Sequence, residues 1–208
     1  MGRGRLWCVY LVMKLLSWNV RGLGGAGKRR EVSSLVREKK PFILCIQETK
    51  LPVFEASVCK SIWGDDNVDY SYQPSVGASG GIATLWDLKE VEVWSSVSLD
   101  HVLAVTGRFL KSEDQFVVFN VYAPCDISRQ QVLWNVLSSR IDSLAGQNVC
   151  VCVVTSMLSV VRRKEEVLVV FFPRQASTAS TTLLSTISWW TSRSGGALSR
   201  GTEEMGGR

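Results

Sequence analysis

The sequence predicts an α/β protein in which helices pack on sheets in layers. Three observations carry this. The chain opens as strand, helix, strand: an apolar run at 14–20, a helical pattern at 28–40 and a second apolar run at 42–46. A series of alternating segments follows with no long helical pattern between them, as consecutive strands would read. A further helical pattern over 128–146 then leads into the apolar run "NVCVCVV". With 208 residues, 46% hydrophobic and 21% charged, the chain has material for a sizeable core in one domain or one and a half.

Taken in order, residues 1–12 hold arginines and a short apolar run, and Lys14 interrupts that run. No small-x-small cleavage pattern follows, so a leader outside the domain is expected there rather than a signal peptide. Nowhere does an apolar run reach the length that crosses a bilayer. "KLLSWNV" reads as the first strand and "RGLGGAG" as a turn. "KRREVSSLVREKK" spaces Val32, Leu35 and Val36 along one helical face, and Pro41 stops the helix. "FILCI" is short and apolar on both faces, as a strand covered on both sides requires. "VFEASVCKSIW" reads as a short helix, and "GGIATLW", "VEVWSSVSL", "HVLAVTGRFL" and "QFVVFNVYAP" as strands. "SRQQVLWNVLSSRIDSLAG" is a helix closed by Gly146, and "NVCVCVV" is the next strand. One domain is therefore expected over 13–154. Beyond it, 155–208 reads as an irregular tail rich in Ser, Thr and Gly, apart from the aggregation-prone window "LVVFF" and a Trp189-Trp190 pair.

The formal net charge of +5 permits a polyanionic partner without requiring one. Cysteines stand at 8, 45, 59, 125, 150 and 152, with no Cys-x-x-Cys pair. That spacing points to buried reduced thiols, and so to an intracellular setting, rather than to a disulfide framework or a zinc site.

The strands end in polar residues of particular kinds. The first ends in Trp18-Asn19, the second in Gln47-Glu48-Thr49, and "FVVFNVYAP" in Asn120, Tyr122 and Pro124. Sites gather at strand ends in layered α/β folds. A carboxylate there suits Mg²⁺, which favours oxygen ligands and keeps several waters. Asn and Tyr offer uncharged hydrogen bonds to a phosphate. Together these parts suit metal-assisted phosphodiester hydrolysis. Taken singly, each has an ordinary reading: Glu48 as a solvated residue, Asn19 as a turn residue, Tyr122 as packing.

Four stretches in order, "LSWNVRGLG", "ILCIQETKL", "SGGIATLW" and "FNVYAP", resemble the endonuclease/exonuclease/phosphatase superfamily. The wording is nearest to the endonuclease domain of plant non-LTR retrotransposons of the long-interspersed-element type. The resemblance covers about 13–154. It implies a four-layer α/β sandwich like that of DNase I and the apurinic/apyrimidinic endonucleases, and Mg²⁺- or Mn²⁺-dependent nicking of DNA. It further implies DNA as partner with no membrane and no obligate protein partner, and a nuclear location if functional. Carried over, Asn19 would serve the phosphate and the metal, Glu48 would be the metal ligand, and Tyr122 would orient the phosphate.

The superfamily also needs a later strand ending in Gly-Asp-x-Asn, which supplies the water-activating residue, and a terminal Ser-Asp-His. Neither follows Tyr122 here. The single histidine, His101, matches no motif of the family and reads as a surface strand residue. The place for Gly-Asp-x-Asn is nonetheless visible. Beginning each new codon at the third base of the present one turns Val153-Val154 into Gly when the Val153 codon ends in G. The same slip lets Val154-Thr155 give Asp, Thr155-Ser156 Phe and Ser156-Met157 Asn. Downstream, Trp189-Trp190 must give Val and Trp190-Thr191 must give Asp, because Trp has one codon and Thr codons begin AC. Residues from about 153 onward are therefore expected to be an out-of-frame translation of a degraded element. The sandwich should then be incomplete at its C-terminus, with an open sheet edge and exposed apolar surface. The expected function is that of an impaired endonuclease binding Mg²⁺ or Mn²⁺ weakly. The alternatives are a non-catalytic nucleic-acid-binding or functionless remnant, or a phosphodiesterase acting on another ester.

Overall fold

A computed structural model describes residues 14–77, 79–144, 148–155 and 168–172. In chain order the elements are β1 (Leu15–Asn19), α1 (Ala26–Lys39), β2 (Ile43–Gln47), α2 (Ala56–Trp63), β3 (Val68–Val76), β4 (Ser79–Asp87), β5 (Val91–Leu99), β6 (Val102–Phe109), β7 (Gln115–Ala123), α3 (Ile127–Ser143), β8 (Asn148–Thr155) and β9 (Leu168–Phe172). The helices end where their sequences say they should. Lys40, with φ 48, takes the left-handed cap of α1 just before Pro41, and Gly64, with φ 98, caps α2. Asp126 caps α3 at its start, its side chain accepting from the Arg129 N–H at 2.8 Å.

The strands form a four-stranded sheet in the order β1-β2-β4-β3 and a five-stranded sheet in the order β5-β6-β7-β8-β9. Each sheet contains one parallel pair bridged by a helix: β1 and β2 across α1, and β7 and β8 across α3. Every residue of β2 is buried, and its alternation divides them between two cores. Leu44 and Ile46 face α1 and α2, packing with Val32, Val36, Val58 and Ile62. Ile43 and Cys45 face the other sheet, packing with Val105, Phe116 and Val118. On the far side, Leu133, Trp134, Leu137 and Ile141 of α3 cover Val117, Phe119 and Val121. Helices, sheet, sheet, helix: the layers are those of an α/β sandwich.

Two strands depart from the sequence reading. β3, with Pro74 inside it, is not among the strands named from the sequence. It accommodates the proline at the edge of its sheet: Gln73 pairs with Ile82 and Ser75 with Gly80, and the ladder skips the proline between them. The window "LVVFF" falls in the stretch read as irregular, yet it forms β9, antiparallel to β8. The leader at 1–12, the expected Gly146 cap and the rest of the tail lie outside the described residues. Cys45 and Cys59 are buried thiols, as expected, whereas Cys125, just after β7, is exposed.

Candidate active site

The C-terminal ends of β1, β2 and β7 meet at one end of the sandwich, and they bring Asn19, Glu48 and Tyr122 together. Asn19 Nδ2 donates to Glu48 Oε1 at 2.9 Å, and the Tyr122 hydroxyl donates to the same oxygen at 3.1 Å. All three side chains are half-buried. The first loop continues the ladder beyond β1: the Val20, Gly22 and Leu23 N–H groups donate to the Gln47, Glu48 and Thr49 carbonyls at 3.0, 2.7 and 2.8 Å. Glu48 itself sits in the left-handed region at φ 53, and Arg21 and Lys50 do likewise at φ 52 and 54. Non-glycine residues held in this region are uncommon, and they cluster where function constrains the backbone. Here both flanking residues are exposed cations.

Burial first, and then the Glu48 carboxylate beside it, push the Tyr122 phenol above the ordinary tyrosine range. It therefore stays protonated at neutral pH and acts as a donor, not a base. Asn19 turns its amide N–H to Glu48, while its Oδ1 accepts from the Arg21 N–H at 3.1 Å. In this arrangement Asn19 braces the carboxylate. To ligate a cation itself, its amide would have to turn over.

The donor set fits no more than a weakly held Mg²⁺ or Mn²⁺: one carboxylate, with Oε2 taking no part in either bond. Among the described residues no group of three or more His, Cys, Asp or Glu side chains could hold a metal. Glu48 is the one carboxylate in this cluster among the described residues, and a cation held by it alone would keep most of its water.

Asn120, named with Tyr122 among the polar residues of its strand end, takes no part in this cluster. It is fully buried between the sheets, accepting from Gln47 Nε2 at 2.6 Å and donating to the Ala83 carbonyl and Thr84 Oγ1 at 3.0 and 3.1 Å. Gln47 Nε2 also donates to Ser17 Oγ at 2.9 Å. The only trace of this network in the sequence is polar residues within apolar strands. His101 is not on a surface strand. It occupies the β5–β6 turn at φ 64, with Nε2 buried and its carbonyl accepting from the Tyr122 N–H at 3.0 Å.

The letters Gly-Asp-x-Asn do occur once, at Gly64-Asp65-Asp66-Asn67. They lie at the opposite end of the first sheet, where Leu88 N–H donates to the Asn67 carbonyl and the Asp65 side chain holds the Asn67 N–H. They form a turn after α2, not a catalytic strand end. At the correct end, β8 runs in register with β7, placing Val154 beside Tyr122 and Thr155 beside Ala123. This backbone position is the one the resemblance reserves for Gly-Asp-x-Asn.

The sequence matches the Endonuclease/Exonuclease/phosphatase family over residues 16–157. No curated protein matches it. Among solved structures it is similar to the AP endonuclease LMAP from Leishmania major, with TM-score 0.52 and 20% identity over 67% of this chain and 54% of that one. It is similar also to the human Nocturnin catalytic domain with bound sulfate, with TM-score 0.52 and 16% identity over 67% and 63%. A third is the Xenopus laevis APE2 catalytic domain, with TM-score 0.52 and 16% identity over 68% and 57%. Identities this low speak for the fold alone. The chain covers 54–63% of the length of these structures.

Proposed function

This chain belongs to the endonuclease/exonuclease/phosphatase family, and from that premise we propose that it carries part of a Mg²⁺-dependent DNA-nicking site of retrotransposon type, impaired in catalysis. The observation that carries the proposal is Glu48 Oε1 receiving hydrogen bonds from both Asn19 and Tyr122 across two sheets. Glu48 would hold the cation, which when bound polarises a phosphoryl oxygen. Asn19 and Tyr122 fix the carboxylate in position. Arg21 and Lys50, exposed on the flanking loops, favour an anionic backbone through charge alone, which gives salt-sensitive and sequence-indifferent binding. The motif wording "WNVRGLG" and "QETKL" supports the retrotransposon type and so a nuclear location.

Impairment follows from what stands at the end of β8. Val153, Val154 and Thr155 cannot take a proton from water, and losing such a base typically costs about 10²–10⁴-fold. An out-of-frame origin for the sequence from about 153 onward accounts for the loss. Reading the gene across codons 145–208 tests that origin directly.

The activity test is nicking of supercoiled plasmid in Mg²⁺ by the chain and by Glu48→Ala, with salt-dependent DNA binding measured alongside. DNA binding that weakens as salt rises, with no Glu48-dependent nicking, is expected. Nicking that disappears in Glu48→Ala would overturn impairment. Absence of DNA binding at low salt would overturn the choice of DNA.

A further inference from the structure

The layer between the two sheets is apolar, built from side chains such as Ile43, Cys45, Trp86, Val105, Phe116 and Val118. Polar groups in such a layer are costly unless bonded. Ser17, Gln47, Thr84 and Asn120 are nevertheless buried there, the last three with no exposed surface. Their bonds form one connected path. Both Gln47 Nε2 hydrogens are used, on Ser17 Oγ and Asn120 Oδ1, and both Asn120 Nδ2 hydrogens are used, on the Ala83 carbonyl and Thr84 Oγ1. Each amide is held in one orientation: turning Asn120 over would set N–H against N–H, and turning Gln47 over would set oxygen against oxygen, although Gln47 Oε1 itself is buried without a hydrogen-bond partner among the described residues. Ser17, Gln47, Ala83 and Thr84 belong to the first sheet and Asn120 to the second, so all three Asn120 bonds cross between the sheets; the 2.6 Å amide–amide bond is the one that reaches β2, the strand that leads into Glu48.

The crossing lies just below the candidate site, one residue before Glu48 and two before Tyr122. Glu48 follows Gln47 directly. Tyr122 lies two residues beyond Asn120, on the same face of β7 by the period of a strand. Apolar contact between sheets is non-directional and tolerates sliding. A hydrogen bond such as that from the Tyr122 hydroxyl to Glu48, at 3.1 Å, tolerates a few tenths of an ångström. We propose that Gln47 and Asn120 form a cross-sheet positioning pair that sets Glu48 against Tyr122. From the proposed function the inference takes only the importance of those two side chains. The contact itself needs neither metal nor turnover.

The test is the side-chain carboxyl ¹³C resonance of Glu48 in the full chain without metal. Tyr122→Phe first measures how far loss of the phenol moves it. Gln47→Met is expected to move it at least half as far in the same direction, and Tyr122→Phe added to Gln47→Met should shift it little more. The double variant Gln47→Asn/Asn120→Gln moves one methylene from one strand to the other while keeping both amides, and it should recover more than half of the displacement. A purely structural role would lower the melting temperature and leave the Glu48 resonance in place. Gln47→Met, folded, with Glu48 unmoved would overturn the proposal, as would Tyr122→Phe leaving Glu48 unmoved. If no variant folds, the unaltered chain decides: side-chain NH₂ protons of Gln47 and Asn120 exchanging as fast as those of exposed amides would also overturn it, and protected protons would support it. Nicking plays no part, so failure of the proposed function and failure of this pair are separate results.

Discussion

Gly81 shows at the smallest scale how the chain delivers a carboxylate to its site. It stands at φ 83, and a Cβ there would run into Thr49 Oγ1, 3.2 Å from Lys50 N and 3.3 Å from Ser75 Cβ. The same residue's carbonyl accepts from Thr49 N–H at 3.0 Å, and the Gly80 carbonyl accepts from Lys50 N–H at 3.1 Å. The loop bearing Glu48 is thus laid directly on the backbone of β4. Gly81→Ala should cost about 2–4 kcal/mol in a denaturant melt, combining left-handed strain with overlap. Adding Thr49→Ala should recover the part due to the hydroxyl and not the part due to φ. A loss under about 0.5 kcal/mol would mean the loop does not depend on this glycine. That Asn19, Glu48 and Tyr122 would come together was legible in the sequence because each lies at or beside a strand end, and strand ends converge in layered folds; their roles rest on the resemblance. The inward role of Asn120 was not legible. Its partner Gln47 is 73 residues away, and only the packing of one sheet on the other brings them together.

Among elements, α2 is short, and burial does more to hold it than propensity. Val58, Cys59, Ile62 and Trp63 are its buried residues. Burial, with the nearby Asp69 charge second, pushes the Cys59 thiol up to about 12. The folded chain therefore holds this proton more tightly than the unfolded chain, whose thiol titrates near 9.0. Stability from this group is complete below that lower value and is lost as pH rises toward the upper one. Melts between pH 9 and 11 should fall more steeply for the unaltered chain than for Cys59→Val, by at most about 1.4 kcal/mol per pH unit. Parallel slopes would show that the thiol reaches solvent. The helices and most strands were legible because their apolar periods are clean. β3 was not, because a proline inside a strand is tolerated only at an edge, and edge position is a property of the sheet, not of the segment.

At the scale of the whole molecule, the two parallel crossovers build matching halves, and the candidate site lies where their strand ends face each other. The first half is well provided: both faces of β2 are covered. Among the described residues the second sheet ends in β9, five consecutive apolar residues in the order Leu-Val-Val-Phe-Phe, paired with β8 on one side. Natural edges are blunted by charge, proline or bulges, because an uncharged strand of high β-propensity is a template for another chain. β9 has none of these devices within its span. Val53, Trp94, Val97, Val132 and Val136 add exposed apolar surface elsewhere. The purified chain should therefore self-associate at micromolar concentration, and its melt should broaden as concentration rises, so that stability differences are read at the dilute end. Light scattering and calorimetry over a concentration series read both properties. Val170→Lys puts a charge in the middle of the edge strand, so it should reduce association several-fold while leaving DNA binding at least as strong. A soluble monomer with a sharp melt would mean that the edge is covered. Unchanged association in Val170→Lys would move the cause to the apolar side chains of the outer faces.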